Sequence, residues 1–504
     1  MIVFVNPRAT TPINRRFPLS VMALGAVLPE GTKWEIVDGN RPGIDPYREV
    51  AARIEAAAGT RDPVRAIAMT VMPGPQVQQA VPVTRRLKER FPSVPIIWGG
   101  NFPSLYPEPV VNSPYVDWMV RGQGEQTFLE LLEVLDGRRD PKTVAGLGFR
   151  DNGTPWMAPE RPWVGPNELP TPPYAKIDVD DYLHPTFLGR RSAVYQSSIG
   201  CPYSCNFCGV ISVYGSKEKW EDPARTEQNL RYLVDHHGID GLHFYDNNFF
   251  LKEDHANEIC GRLAPLGLAW WCEARVDVML RFSAATWETI RRAGLRMIFF
   301  GAESGSNERL KKMKKDITIE QTLEVAQRSR SYGIIPEFSF VLGDPEDPED
   351  DINTTLAFVR KLKTINPECE IILQFYTPTP QRRGTYGDVD PLAGTPTTLD
   401  DWVDPAWLGW MTHEDPEQWL TRKLKARVDN FELILRSRFP SLHDTTTSRW
   451  GRVLAQALAK RRWDSGRYDN PHLLKGVRRY ARFPRPDRQA YGHLRPPLAV
   501  SGTA

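Results

Sequence analysis

The sequence S-I-G-C-P-Y-S-C-N-F-C-G-V, residues 198–210, places three cysteines on one short segment, directly after an apolar, strand-like stretch at residues 193–199. Their spacing is C-x-x-x-C-x-x-C. Three thiolates on one loop can bind three irons of a 4Fe-4S cluster, which normally has four cysteine ligands. The fourth iron would then stay open to another ligand. Cys201, Cys205 and Cys208 are therefore predicted metal ligands.

Two other interpretations of the triplet are a structural zinc site and buried thiols that pack as small hydrophobic side chains. A closed zinc site needs a fourth ligand, and its cysteine spacings usually come in pairs. The other cysteines, Cys260, Cys272 and Cys369, are scattered singly, and no histidine lies within 25 residues after Cys208. The spacing therefore favours a cluster over both alternatives.

Length and composition indicate a multidomain protein of a reducing compartment. At 504 residues the chain exceeds the size at which one hydrophobic core stops growing. Its six cysteines do not resemble a secreted disulfide framework, and a thiolate-bound cluster would not survive oxidising conditions. No signal-peptide pattern and no apolar run of membrane-spanning length is visible. We expect a cytoplasmic protein without a transmembrane segment.

The first 140 residues alternate short β-rich runs with longer amphipathic ones. Predicted strands are residues 2–5, 33–37, 66–71, 96–98 and 116–120, and predicted helices lie near residues 19–28, 47–58, 77–90 and 127–135. This alternation is typical of a parallel sheet with helices on both faces. We predict a Rossmann-like domain over residues 1–145 and a proline-rich linker over residues 146–190.

The strand–helix alternation returns after the linker. Predicted strands are residues 193–199, 242–245, 268–275, 297–301, 336–342 and 371–376, with helices at 225–236, 254–263, 284–293, 319–332 and 352–362. Six such repeats indicate an α/β partial barrel, a TIM-type (β/α)6 fold, over residues 191–380. Chemistry in such barrels sits at the carboxyl ends of the strands, and several of these ends are polar here.

Together with the triplet and its aromatic Phe207, the segments F-Y-D-N-N-F-F (244–250) and G-A-E-S-G-S (301–306) resemble radical S-adenosylmethionine (SAM) enzymes. F-V-L-G-D (340–344) resembles their fifth-strand segment, without its usual proline. The resemblance implies a 4Fe-4S cluster whose open iron binds SAM. It also implies that Asp246, Asn247 and Asn248 contact the SAM amine, while Glu303 and Ser304 reach its ribose or methionine part. The ordinary alternatives are a turn and a helix N-terminal acid.

The N-terminal domain resembles the cobalamin-binding domain of relatives of the anaerobic Mg-protoporphyrin ester cyclase. The similar segments are Asn6-Pro7, R-F-P-L-S-V-M-A-L-G-A-V-L, W-G-G-N-F-P-S-L-Y-P-E and R-G-Q-G-E-Q-T-F. The cobalamin contacts that this implies are Asn6, Pro7, Gly99, Gly100, Gly122, Gly124 and Glu125. Simple tight turns or another nucleotide site are the alternatives, although the third glycine of an NAD fingerprint is missing.

Residues 1–150 contain no histidine, so the histidine that binds cobalt from below in many cobalamin proteins is absent from this domain. The segment D-G-N-R-P-G (38–43) imitates the histidine motif with asparagine, but it follows the second strand instead of the first. We therefore expect cobalamin without a histidine lower ligand. Met72, Gln76 and Arg8 lie on loops that could reach the cobalt.

Residues 381–504 are predicted to form a helical, tryptophan-rich and basic cap. The tryptophans include Trp402, Trp407, Trp410 and Trp419, and helical runs lie at residues 417–437 and 453–462. This region could close the substrate side of the barrel or simply pack over it. Residues 449–504 hold 13 Lys and Arg against 3 Asp and Glu, but they carry no nucleic-acid-binding motif, so no nucleic-acid partner is expected.

The resemblance implies a cobalamin-dependent radical SAM methyltransferase that methylates an unactivated carbon of a small molecule or natural product, by way of a 5′-deoxyadenosyl radical and methylcobalamin. An electron donor such as flavodoxin or ferredoxin is the expected partner. The alternative keeps these cofactors but catalyses a cyclisation or rearrangement. A binding protein that has lost catalysis is disfavoured because the cysteines and the polar strand ends are all present.

Overall fold

The computed structural model describes residues 1–10, 14–380, 385–414, 420–440 and 449–480. The chain divides into two compact units, each built from separate stretches. The first unit contains Met1–Tyr182, Ile199–Glu221 and Thr377–Glu414. The second contains Leu183–Ser198, Asp222–Tyr376 and the described residues after 414.

The first unit has a seven-stranded sheet in the order β2-β1-β3-β4-β5-β6-β7. The first five strands are parallel: β1 (Ile2–Asn6), β2 (Trp34–Asp38), β3 (Ala66–Thr70), β4 (Ile96–Gly99) and β5 (Trp118–Val120). Residues such as Ile2, Phe4, Ala68 and Ile97 are almost wholly buried on it. This confirms the predicted Rossmann-like parallel sheet.

Two further strands lie where the sequence predicted a linker. They are β6 (Leu147–Asp151) and β7 (Thr154–Met157), which extend the sheet in antiparallel fashion. Asn152 and Gly153 both have positive φ angles, 48° and 86°, as a tight two-residue hairpin turn requires. Pro155 is tolerated because β7 is the edge strand.

Six helices belong to the N-terminal part of the first unit. They are α1 (Leu19–Ala26), α2 (Pro46–Ala57), α3 (Pro75–Arg90), α4 (Asn101–Leu105), α5 (Pro107–Val111) and α6 (Glu125–Leu135). The Asp45 side chain caps α2 by accepting from the backbone N–H groups of Tyr47 and Arg48. Helix α6 buries Phe128 and Leu131 against the sheet. Parallel strands therefore alternate with helices, as predicted.

The second unit is organised around a six-stranded sheet in the order β15-β14-β13-β12-β11-β8. All neighbouring strands are parallel: β8 (Ser192–Tyr195), β11 (Gly241–Phe244), β12 (Ala269–Ala274), β13 (Leu295–Glu303), β14 (Ile335–Leu342) and β15 (Glu370–Phe375). Intervening helices are α8 (Pro223–His237), α9 (Glu253–Leu263), α10 (Val276–Arg281), α11 (Ala284–Arg292), α12 (Asn307–Lys312), α13 (Ile319–Ser331) and α14 (Pro348–Ile365). Strand order follows chain order, which confirms the partial barrel.

The C-terminal region divides between the two units. Helix α15 (Pro405–Met411) belongs to the first unit, while α16 (Arg422–Arg438), α17 (Arg449–Ser465) and α18 (His472–Tyr480) belong to the second. The predicted helical character is confirmed for these helices. Trp419 and residues 481–504 of the basic tail lie outside the described residues. In the part of the chain that is described, no helix has the length and apolarity needed to cross a membrane.

Candidate active site

The cysteine loop connects two short strands of the first unit. Cys201 ends β9 (Ser198–Cys201), which pairs with β10 (Lys217–Trp220), and Cys208 directly precedes α7 (Gly209–Tyr214). The Cys208 N–H donates to the Cys205 carbonyl at 3.3 Å. Cys205 is buried, while Cys201 and Cys208 are half-buried, as is Phe207. The three predicted ligands therefore share one folded loop.

Described residues that follow β15, which the sequence analysis did not single out, hold the cysteine loop and α7 in place. The Tyr386 N–H donates to the Asn206 carbonyl at 3.2 Å, and Ser212 Oγ donates to the Pro380 carbonyl. A Cβ on Gly209 would lie 3.2 Å from Thr379 Cγ2, so the glycine allows a close approach. No periodic sequence signal marks these contacts.

The donor chemistry of the loop fits an iron–sulfur cluster. Thiolates are the usual ligands of such clusters, and each binds a different iron. Ligands of a single ion must instead converge within bonding distance of one point. Within the described ranges, no group of three or more His, Cys, Asp or Glu side chains could hold one metal ion. Three thiolates on one loop are a donor set that suits a cluster.

Asp246 lies directly beyond the end of β11 and is fully buried. Its carboxylate accepts hydrogen bonds from the Ser197 N–H at 3.0 Å and from Ser197 Oγ at 2.9 Å. Burial raises the pKa of this carboxyl to about 6, and the Ser197 hydrogen bonds oppose that rise. Asp246 therefore fixes the chain four residues before Cys201.

Asn248 is the polar residue of this strand end that is best suited to receive a ligand. Its side chain is fully buried, and neither amide atom has a hydrogen-bond partner among the described residues. Buried polar groups are normally hydrogen-bonded, so an unpaired amide indicates a missing ligand or water. The neighbouring Asn247 is half-buried. An orphaned amide at a predicted SAM-binding position fits the predicted cofactor.

Glu303 ends β13 and is 6% exposed. It has a left-handed φ of 62°, and its Oε1 pairs with Lys315 Nζ at 2.7 Å. Ser304 is buried, and its Oγ accepts the Ser306 N–H at 3.2 Å. Both predicted residues therefore lie at the carboxyl end of the fourth barrel strand. The positive φ of Glu303 is notable because non-glycine residues uncommonly adopt it.

Two further acids lie inside the sheet of the second unit. Glu273 and Glu337 are both paired in register with Phe299, from opposite sides. Glu337 Oε2 accepts from Trp271 Nε1 at 3.1 Å. Burial, followed by the nearby Glu337 and Asp246 charges, raises the pKa of Glu273 to about 8. The sequence analysis missed Glu337, although an acid within an apolar strand was a signal.

In the first unit, the loops after β1 and β3 are joined by the Gln76 amide. Gln76 Nε2 donates to Asn6 Oδ1 at 2.9 Å and to the Pro7 carbonyl at 2.8 Å, and Oε1 accepts the Met72 N–H at 2.8 Å. Gln76 is 3% exposed, whereas Met72 is 48% exposed. The Gln76 amide is thus occupied by the protein, and Met72 is the residue of this loop open to a ligand.

Asp38 holds the end of β2 against the end of β1. Its Oδ1 accepts from Asn6 Nδ2 at 3.0 Å and Asn40 Nδ2 at 2.8 Å, and Oδ2 accepts from the Tyr182 hydroxyl at 2.9 Å. Arg8 is held nearby, because its Nε donates to the Gly39 carbonyl at 3.2 Å. The D-G-N segment therefore has a structural role, as expected for a coincidental match to the histidine motif.

The predicted glycine contacts lie at the carboxyl ends of β4 and β5. Gly100 has φ 100°, and a Cβ there would lie 2.8 Å from the Val71 carbonyl oxygen. The Gly122 N–H donates to Ser104 Oγ at 2.9 Å. Gly99 ends β4, Gly124 precedes α6, and burial raises the pKa of Glu125 at the start of α6. These backbones can approach a bulky ligand closely.

The tryptophan-rich segment packs on the first unit, whereas the sequence analysis placed it as a cap beside the barrel. The Trp402 ring lies 4.8 Å from that of Tyr106 and 5.2 Å from that of Phe102. The Gly74 N–H donates to Met411 Sδ at 3.2 Å. Apolar burial explains this placement, since Trp402 is fully buried there.

Two family models match the chain. The B12 binding domain matches residues 14–132, and the Radical SAM superfamily matches residues 195–359. Together these domains imply a 4Fe-4S cluster, SAM and cobalamin.

Curated relatives match about three-fifths of this chain. An uncharacterized methyltransferase from Pyrococcus horikoshii is 29% identical over 287 residues, which cover 56% of this chain and 61% of the relative. The anaerobic magnesium-protoporphyrin IX monomethyl ester cyclase from Rubrivivax gelatinosus is 25% identical over 293 residues, which cover 57% and 52%. The match thus spans only about half to three-fifths of these relatives.

A solved structure shares the fold over almost the whole chain. The cobalamin-dependent SAM radical enzyme OxsB, with aqua-cobalamin bound, aligns with a TM-score of 0.69 at 18% identity. The alignment covers 94% of this chain and 72% of OxsB. The chain therefore contains a B12 binding domain followed by a radical SAM domain, and its fold is similar to that of a cobalamin-dependent radical SAM enzyme.

Proposed function

We propose that the protein is a methyltransferase that adds a methyl group to an unactivated carbon of a small molecule or natural product. The observation that carries the proposal is that the cysteine loop and the B12-binding sheet belong to one compact unit. Helix α7, which follows Cys208, packs on α4, which follows Gly99 and Gly100. A relative with a methyltransferase name supports the same reaction class.

When bound, the cluster and SAM supply a 5′-deoxyadenosyl radical, and cobalamin supplies the methyl group. Cys201, Cys205 and Cys208 hold the cluster, with Phe207 beside it. Asn248 would offer SAM its amide, which has no hydrogen-bond partner among the described residues, while Glu303 and Ser304 would hold the ribose or methionine part. Asp246 keeps Ser197 in place. Asn247 completes this SAM-binding set.

Residues at the strand ends of the first unit would hold cobalamin. Gln76 fixes the backbone of Asn6-Pro7 and of Met72, and the exposed Met72 side chain would be available to a bound cobalamin on a loop of a domain that has no histidine. Gly99, Gly100, Gly122, Gly124 and Glu125 contact the remainder of the cofactor. Electrons come from a small redox protein such as flavodoxin or ferredoxin.

The test is anaerobic reconstitution with SAM, cobalamin, reductant and lysate of the source organism, followed by untargeted detection of methylated products. We expect both S-adenosylhomocysteine and 5′-deoxyadenosine. Cys205→Ala should abolish the cluster and SAM cleavage, while Cys260→Ala, a buried thiol outside the loop, should retain both. Deoxyadenosine without S-adenosylhomocysteine would refute methylation.

That last outcome would favour a second candidate function. The relative from Rubrivivax gelatinosus is named a cyclase, which supports a cyclisation or rearrangement with the same cofactors. A substrate-derived product of unchanged carbon count would establish this alternative.

A further inference from the structure

Lys315 is a buried cation at the carboxyl end of the barrel sheet, and no sequence motif marks it. Its side chain and backbone are 8% exposed in total, and Nζ lies 2.7 Å from Glu303 Oε1. The pair uses one oxygen of the Glu303 carboxylate, so Oε2 can accept from a ligand. A buried charge requires a partner, and each member of this pair satisfies the other.

The backbone around the pair is shaped to bring the two charges together. Glu303 has a φ of 62°, and the register between β13 and β14 shifts between Gly301 and Glu303. A Cβ on Gly301 would overlap Glu303 Oε1 and lie 2.6 Å from Lys315 Nζ. The ion pair therefore lies directly over the α-carbon of Gly301, where a Cβ atom would displace the two charged groups.

The loop that carries Lys315 is held from both sides. Lys314 and Asp316 have positive φ angles of 52° and 55°, and the flanking Met313 and Ile317 are buried. Arg275 Nη2 donates to the Lys315 carbonyl at 2.6 Å, and Asp277 holds the Arg275 side chain at 2.9 Å. Strained backbone persists only where the surroundings enforce it, and it clusters at functional sites.

We propose that Lys315 is a positioning residue for SAM, which fixes the Glu303 carboxylate with one oxygen presented to the ribose hydroxyls. This inference rests on the proposed SAM-binding role of Glu303. Lys315 keeps the Glu303 carboxylate in a single orientation before SAM binds. The entropic cost of ordering this side chain therefore falls on folding and does not weaken SAM binding. Removal of Lys315 would remove the ion pair that sets the orientation of the Glu303 carboxylate.

The experiment measures SAM affinity by anaerobic equilibrium dialysis on the full-length, cluster-reconstituted protein, together with iron content and the EPR spectrum of the reduced cluster with SAM. We expect Lys315→Met to weaken SAM binding at least tenfold at unchanged iron content and to alter the SAM-induced EPR shift. Lys315→Arg should recover part of the affinity. The matched control is Lys312→Met, since Lys312 makes a solvent-exposed ion pair with Glu346 at 2.7 Å.

A double variant is the control for misfolding, because Lys315→Met alone leaves the buried Glu303 carboxylate without its cation and could destabilise the fold. Glu303→Gln combined with Lys315→Met removes both charges. If Lys315 acts through Glu303, the double variant binds SAM as Glu303→Gln does. Independent, additive losses would overturn the proposal, as would wild-type affinity in folded Lys315→Met. Failure of the wild-type protein to bind SAM would refute the proposed function instead, and wild-type affinity in Glu303→Gln would refute the role of Glu303.

Discussion

Asn248 is fully buried, and its two amide atoms have no hydrogen-bond partner among the described residues. The same amide should therefore lower the stability of the SAM-free protein and strengthen SAM binding. An unsatisfied buried polar group costs about 1–3 kcal/mol, and an apolar group of the same shape avoids that cost. We therefore expect Asn248→Leu to raise the free energy of unfolding of the SAM-free protein by about 1 kcal/mol and to weaken SAM binding.

Chemical denaturation and SAM dialysis of the same preparation check this prediction. Asn257→Leu is the control, since the Asn257 amide donates to Thr286 Oγ1 at 2.9 Å and its removal should lower stability. If Asn248→Leu destabilised the SAM-free protein as Asn257→Leu does, the Asn248 amide would have a partner, and its assignment to SAM would lose its support.

The raised pKa of Glu273 makes the stability of the folded protein depend on pH. Burial, Glu337 and Asp246 raise its pKa from 4.5 to about 8, so the folded state retains a proton that the unfolded state releases at lower pH. Folding then loses stability as the pH rises from about 4.5 to about 8. Glu273→Gln keeps the neutral form at every pH.

We expect thermal unfolding of Glu273→Gln to match that of the wild type near pH 4 and to show greater stability at pH 9, by up to about 5 kcal/mol, since a change of one in pKa corresponds to about 1.4 kcal/mol. Glu308→Gln, at a side chain that is 79% exposed, is the comparison and should show no such trend. A difference between Glu273→Gln and wild type that does not change with pH would contradict the raised pKa.

At the level of single residues, sequence patterns identified which positions lie at strand ends but not what each side chain contacts. Gln76 and Met72 are four residues apart after the same strand, yet the Gln76 amide is hydrogen-bonded to the Asn6 side chain and to two backbone groups, whereas the Met72 side chain is exposed. Lys315 could not be found from sequence, because its importance depends on a contact across twelve residues and on backbone strain.

At the level of elements, segment Thr377–Glu414 shows what packing contributes to the first unit. Trp402 is fully buried against Tyr106 and Phe102, and Gln78 Nε2 donates to its carbonyl at 3.0 Å. Truncation of a buried tryptophan costs about 3–5 kcal/mol. Trp402→Ala should therefore destabilise the first unit and speed hydrogen exchange in α4 and α5.

Hydrogen exchange resolved by mass spectrometry checks that prediction, with α13 and α14 of the second unit as internal references. Trp450→Ala is the matched control, because Trp450 is 83% exposed. Unchanged exchange in α4 and α5 of a folded Trp402→Ala variant would show that the segment does not stabilise this unit.

The elements that sequence predicted well are those with a strong period. The parallel strands and their helices follow directly from alternating apolar runs, and the cysteine loop follows from its spacing. The β6–β7 hairpin was not predicted, because its two-residue turn lies in a proline-rich segment that the sequence analysis interpreted as a linker. The sequence did not predict that Thr377–Glu414 belongs to the first unit, because a segment without a periodic apolar pattern carries no signal of what it packs against.

For the whole molecule, the consequence is that the cobalamin-binding unit does not end at the proline-rich region. A fragment of residues 1–182 lacks both the cysteine loop and the segment that covers Phe102 and Tyr106. The loss exposes an apolar surface and removes the ion pair between Arg85 and Asp400 at 2.9 Å. We expect this fragment to bind a hydrophobic dye, to unfold without cooperativity and to retain little cobalamin.

The comparison is a fusion in which residues 222–376 are replaced by a flexible Gly/Ser linker of about 20 residues, which spans roughly 25 Å. This fusion contains all three stretches of the first unit. It should unfold cooperatively and retain cobalamin, as judged by the absorbance of the bound cofactor after gel filtration. If the 1–182 fragment matched it in both properties, the N-terminal domain would be an independent cobalamin-binding module, and Thr377–Glu414 would be dispensable for it.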